Sequence, residues 1–202
     1  MNRATMLTKC LLGLTLAVLS NLSWAQWELN SDRSSLNFIS IKNDSVAETH
    51  EFRSLVGFIS EQGQVQVTID LTSVETLIDI RNTRLRELLF ETEQFPTASV
   101  TTKVDPAILA AALEGVVSTD IEVELSLHGH SHRLIVPVTI VGDSGDNATG
   151  GELRVISSRP VIVDAADFAL LAGVVALREI AGLSAISFAV PVSLHLVFDA
   201  AP

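Results

Sequence analysis

The chain has 202 residues, 48% of them hydrophobic, and its 24 acidic residues against 13 basic ones give a net charge of −11. That length suits one domain, and the acidic balance excludes nucleic acid and anionic membrane surfaces as main partners. Residues 1–25 read as a signal peptide: Arg3 and Lys9 form a positive start, Leu11 to Leu19 an apolar run, and Ser23-Trp24-Ala25 a cleavage site. The run is shorter than the roughly 20 residues a membrane span needs. Cleavage removes Arg3, Lys9 and Cys10, which takes the net charge from −11 to −13 and leaves residues 26–202 without cysteine. The expectation is an exported, periplasmic domain with no integral membrane span, whose core holds without disulfides.

The mature chain opens with alternating apolar residues at Trp27 and Leu29, then Leu36 and Phe38, read as two short strands or one bent one. A longer strand is predicted over Ala47 to Ser60, with His50, Phe52, Ser54, Val56 and Phe58 on one parity. Glu61-Gln62-Gly63 turns the chain into a half-buried strand bearing Val65, Val67, Ile69 and Leu71.

Helical spacing then interrupts the strands at Leu85, Leu88 and Leu89, with Asn82 placed to cap. Arg81, Arg84 and Arg86 stand beside this apolar stripe, with Glu87 and Glu91 as expected partners, and Phe95-Pro96 ends the segment. Strand character resumes over Ala98 to Val104. Asp105-Pro106 opens a short helix that Gly115 ends. Ile121, Val123, Leu125 and Leu127 alternate, Gly129 to His132 turns the chain, and Leu134, Val136, Val138 and Ile140 continue on one face. A polar loop, Gly142 to Gly151, leads to a strand over Leu153 to Val163. Asp164 to Gly182 is apolar nearly all round, a helical insertion pressed on something apolar, with Gly173 and Gly182 ending its turns. In the last strand Ile186, Phe188, Val190, Val192, Leu194, Leu196 and Phe198 share one parity. Some eight antiparallel strands, each apolar on one face, predict a mainly β fold; closure into a barrel removes exposed edges, and a sandwich is the competing architecture.

Few residue patterns point to chemistry. His128, His130 and His132 have a metal-like spacing, but Gly129 and Ser131 suggest a hairpin that would splay them. Asp143, Asp146 and Asn147 lack calcium-loop spacing. The mature chain has no phosphate loop, nucleophile elbow or Cys-His pair, so neither an enzyme nor a cofactor is expected.

The order of three segments resembles the YceI family of exported lipocalin-like proteins: RNTRLRELLFETEQFPTASV at Arg81 to Val100, LSLHGHSHRLIVPVTI at Leu125 to Ile140, and ADFALLAGVVALREIAGLSAISFAVPV at Ala166 to Val192. The resemblance implies an extended eight-stranded antiparallel barrel over residues 26–202 that binds an isoprenoid lipid, polyprenyl or quinone-like, for storage or transport. The family pattern Arg-Asp then His-Leu reads Arg81-Asn82 and Arg84-Leu85 here, which alters any head-group contact made by that Asp or His. The candidate ligand-binding residues are Phe38, Phe52, Phe58, Leu85, Leu89, Phe90, Phe168, Leu171 and Phe188. Phe168 and Leu171 from one insertion, and Leu85 and Leu89 from the other, are expected to flank the lipid entrance. The alternatives are a metal-binding protein or metal-dependent hydrolase using the three histidines, or a structural barrel with a filled lumen. A homodimer is compatible with the sequence.

Overall fold

The computed structural model describes residues 25–145 and 151–201. The signal peptide up to residue 24, and Asp146 and Asn147 of the acidic loop, lie outside them. The strand segments are β1 (Ala25–Leu29), β2 (Ser35–Lys42), β3 (Val46–Phe52), β4 (Leu55–Ser60), β5 (Gln64–Asp70), β6 (Val74–Glu75), β7 (Thr97–Lys103), β8 (Val116–Leu127), β9 (His130–Asp143), β10 (Glu152–Ser157), β11 (Val161–Asp164) and β12 (Ala189–Ala200). The order β1-β4-β5-β7-β8-β9-β10-β12 closes through a pairing of β12 with β1. The other four segments prolong these strands past short breaks. β2 runs on from β1 along the same edge of β12, β3 precedes β4, β6 follows β5, and β11 follows β10 on the other edge of β12. The result is a closed barrel of eight antiparallel strands in which sequence neighbours are sheet neighbours. Closure pairs the strand edges and gives every apolar parity one interior to face.

One break changes what faces inward. Between β3 and β4 the chain leaves the ladder at Arg53 and Ser54, whose backbone N–H groups donate to Ser73 O (3.3 Å) and Ser73 Oγ (3.1 Å). Crossing it flips the parity, because strand side chains alternate with period two. His50 (4% exposed) and Phe52 point in before the break, and Leu55 and Ile59 point in after it. Phe58 therefore does not share a face with Phe52, as an unbroken strand would require.

Helix α1 (Asp79–Arg84) widens into a π turn over Leu85–Leu89, where Phe90 N donates to Leu85 O. Asn82 lies inside α1 and does not cap it. Its Oδ1 accepts from Thr76 N (2.9 Å) and Thr76 Oγ1 (2.5 Å), and its Nδ2 donates to Glu75 Oε1 (3.0 Å). Arg81 pairs with Glu48 rather than with Glu87 or Glu91, and Arg86 donates to Thr72 O and Thr83 Oγ1. Helix α2 (Pro106–Glu114) starts from an Asp105 cap and packs on β8 and β9. A Cβ on Gly142 would lie 2.9 Å from Ala112 O, so the absence of a side chain there lets α2 sit on β9.

The expected helix from Asp164 is two pieces. Asp164 caps a short 3₁₀ turn over Ala165–Phe168, Ala169 takes a left-handed conformation (φ 56°), and α3 (Leu171–Ile180) follows. Gly173 lies within α3 instead of ending a turn. A Cβ there would meet Leu88 O at 2.4 Å, so this glycine is where α3 crosses the π turn backbone to backbone. No helix among the described residues is long and apolar enough to cross a membrane.

Candidate ligand-binding cavity

The inward faces enclose a cavity of about 270 Å³. Its walls come from every composite strand: Val65, Val67 and Ile69 of β5, Ile121 to Leu127 of β8, Leu134 to Ile140 of β9, and Val190 to Phe198 of β12, each at alternate positions. Thr102 is the one lining residue with a polar side chain among the described residues. Leu109 of α2 lines one end, and Leu89, Phe90, Leu170 and Val174 line the other. A cavity that reaches every composite strand and the helices at both ends forms a channel through the barrel, which suits a long apolar molecule. Burial of such a molecule stabilises by about 0.8 kcal/mol per CH₂, or roughly 4 kcal/mol per five-carbon unit, before the entropy of ordering is subtracted.

The nine candidate residues fall into three groups. Phe38, Phe52, Leu89 and Phe90 line the channel, and the ring centroids of Phe38 and Phe52 stand 5.3 Å apart, those of Phe52 and Phe90 5.7 Å. Leu85 and Phe168 are buried in the core around it but do not line it. Phe168 is 0% exposed and meets the His132 ring edge-on at 5.2 Å. Phe58, Leu171 and Phe188 are not in the lining either. Leu171 and Phe188 are 39% and 43% exposed, and Phe188 precedes the first paired residue of β12.

The three histidines of the β8–β9 hairpin occupy different surroundings. His128 (φ 51°) and Gly129 (φ 76°) form a two-residue turn with both residues left-handed, the hairpin geometry that matches strand twist. The His128 ring packs on Phe95 at 4.4 Å, His130 is exposed, and His132 lies against Phe168. No group of three or more His, Cys, Asp or Glu side chains among the described residues converges as a metal site would require.

A polar patch follows Phe38 and Phe52 on the same face of the β2–β3 hairpin, outside the channel lining. In the β2–β3 hairpin the register pairs Leu36 with Phe52, Phe38 with His50, and Ser40 with Glu48. On this face the residues change from apolar to hydrogen-bonding to charged towards the hairpin tip. His50 Nε2 lies 2.8 Å from Ser40 Oγ, and its ring stands 5.2 Å from that of Phe38. Glu48 accepts from Lys42 Nζ (2.8 Å) and Arg81 Nη1 (2.6 Å). Lys42 first, then Arg81, hold the Glu48 carboxyl below its ordinary value of 4.5 against the opposing effect of burial. Burial, reinforced by Arg81, pushes His50 below its ordinary 6.5, so its ring is neutral at pH 7. His50 Nδ1 and Arg81 Nε are buried without a hydrogen-bond partner among the described residues. A buried polar atom left unpaired costs about 1–3 kcal/mol. In the sequence His50 is one residue of the strand predicted over Ala47 to Ser60, with nothing local to set it apart. The available signal was parity, since Ser40 shares one parity with Phe38 and His50 with Phe52.

This barrel with an apolar channel belongs to a known class. The chain belongs to the YceI-like domain family, which matches residues 27–198. It is similar to the solved structure of a polyisoprenoid binding domain from Saccharophagus degradans implicated in plant cell wall breakdown. Identity is 38% over 88% of this chain and 100% of that one, with a TM-score of 0.81. It shares its fold with Burkholderia cenocepacia BcnA, at 18% identity over 84% of this chain and 98% of that one, with a TM-score of 0.62. No curated protein matches the chain.

Proposed function

We propose that this protein is an exported, non-enzymatic carrier or reservoir that holds an isoprenoid lipid, a polyprenyl or quinone-like molecule, in its barrel. The observation that carries the reading is the channel, lined by aliphatic and aromatic side chains with Thr102 the one polar exception among the described residues. The Saccharophagus relative, named as polyisoprenoid binding, supports the ligand class. Among the described residues the lining holds no carboxylate and no cysteine, which supports binding over catalysis, because no charged acid–base pair or thiolate faces the body of the ligand. Export is supported by the signal-peptide pattern of residues 1–25.

The test is mass spectrometry of protein purified without detergent, compared between the parent and Leu125→Trp, a substitution aimed into the channel. The parent should carry an isoprenoid lipid. Leu125→Trp should fold, because a large side chain fits into open space, and should carry none. A parent that carries no lipid and takes up none when incubated with isoprenoids would overturn the proposal. Unfolding of Leu125→Trp would point to a packed lumen, since overpacking a filled core costs about 1–3 kcal/mol.

A further inference from the structure

We propose that His50, positioned by Ser40, is the hydrogen-bonding anchor for an uncharged oxygen-bearing head group, a hydroxyl or carbonyl, on the lipid whose tail fills the channel. The inference rests on the lipid-binding reading above and adds the polarity of the ligand, its orientation and the residue that selects it.

Three observations converge on His50. The first is position: Ser40 and His50 follow Leu36, Phe38 and Phe52 on one face of the hairpin, and the His50 ring, itself outside the channel lining, stands 5.2 Å from that of Phe38, which lines it, so the imidazole is the first polar group past the phenylalanines on that face. The second is an unused valence. Ser40 Oγ occupies Nε2 at 2.8 Å, while Nδ1 is buried and has no partner among the described residues, in a residue only 4% exposed. Burying such an atom is unfavourable, and a ligand oxygen would relieve that cost. The third is charge. The imidazole is neutral, and the neighbouring cations Lys42 and Arg81 are both engaged by Glu48, with Arg81 Nη2 held by Thr76 O and Arg81 Nε a single buried donor left without a partner among the described residues. A neutral ring that offers one hydrogen bond suits a hydroxyl or carbonyl, whereas a diphosphate calls for several free cationic donors. A hydroxyl serves either tautomer of the ring. A carbonyl serves the tautomer in which Ser40 donates to Nε2 and Nδ1 carries the proton.

The experiment compares geranylgeraniol, the hydrocarbon of the same chain and geranylgeranyl diphosphate by calorimetric titration into delipidated protein. The parent should bind the alcohol about tenfold more tightly than the hydrocarbon, the worth of one buried hydrogen bond. It should bind the diphosphate no better than the alcohol. His50→Phe keeps a ring on Phe38 and removes the nitrogens; it should bind the hydrocarbon as the parent does and lose the preference for the alcohol. Independently of any variant, the Nδ1 resonance of ¹⁵N-histidine-labelled parent should move with the alcohol and stay put with the hydrocarbon. Equal parental affinity for alcohol and hydrocarbon, an unmoved Nδ1 signal, or tighter binding of the diphosphate would each overturn the anchor while leaving the lipid reading intact. Failure of all three compounds to bind overturns both.

Discussion

His50 and Asn82 show how single side chains set the behaviour of the hairpin end of the barrel. The folded His50 ring titrates below its ordinary 6.5, so the native state binds fewer protons than the unfolded chain just under that value. Stability is therefore full above 6.5 and is lost as pH falls from 6.5 through the folded value. Glu48 adds a second loss, because its depressed carboxyl stabilises the fold above 4.5 and ceases to as pH falls through its folded value. Melting temperatures measured against pH should be level above neutrality and fall in two stages. His50→Phe should abolish the upper stage and leave the lower one. Asn82→Asp is predicted to destabilise, since the amide that donates to Glu75 becomes a carboxylate facing a carboxylate. That hydrogen bond from Asn82 is the largest cause holding Glu75 below its ordinary 4.5. A cost of about 1–3 kcal/mol is expected for the broken buried network, read as a lower denaturant midpoint with unchanged m-value.

Between elements, the decisive contacts are those that seat the helices on the barrel. Gly173→Ala would place a methyl 2.4 Å from Leu88 O and 2.8 Å from Leu89 Cα, both backbone atoms that cannot swing aside. Alanine is the better helix former, so propensity alone would raise stability by about 1 kcal/mol. The steric clash outweighs that gain, and the expected result is a lower melting temperature with α3 lifted from the π turn. Hydrogen exchange should then be faster in Leu85–Leu89 than in the parent. Phe168 is expected to act through packing, since it is fully buried against His132 and outside the channel. Phe168→Ala should cost about 3–5 kcal/mol, and the folded fraction should retain its affinity for lipid. A folded variant of parental stability that has lost lipid binding would return Phe168 to the entrance.

The molecule as a whole is a closed sheet around a space its own side chains do not fill. An occupant that binds the folded barrel and not the unfolded chain stabilises it by mass action, by about 2.7 kcal/mol at a free concentration one hundred times Kd. Delipidated protein should accordingly melt lower than protein as purified, and added isoprenoid should restore the difference in proportion to the logarithm of its concentration. Circular dichroism of both forms should be dominated by strand, because the ligand fills the channel without changing the ladder.

Alternation in the sequence determined most of the barrel. In β5, β8, β9 and β12 the inward residues are those that share a parity in the chain, because a strand's period of two is a local property. Asp105-Pro106 determined the start of α2 in the same way, through a cap and a fixed φ. Tertiary structure decided the rest. The parity flip at Arg53 and Ser54 depends on Ser73, some twenty residues on, and it moved Phe58 off the face that Phe52 occupies. Asn82 has the chemistry of a cap but serves Thr76 and Glu75, because the loop before α1 folds back over it. Gly173 resembles a helix end in sequence but serves a crossing with Leu88, a contact made only once both helices are placed. The openness of the lumen also lay beyond the sequence, since the same inward valines and leucines could fill a tighter barrel. Strand closure and the lids formed by α2, α3 and the π turn fix the space left between them, and that space is a sum over the whole chain that no local pattern records.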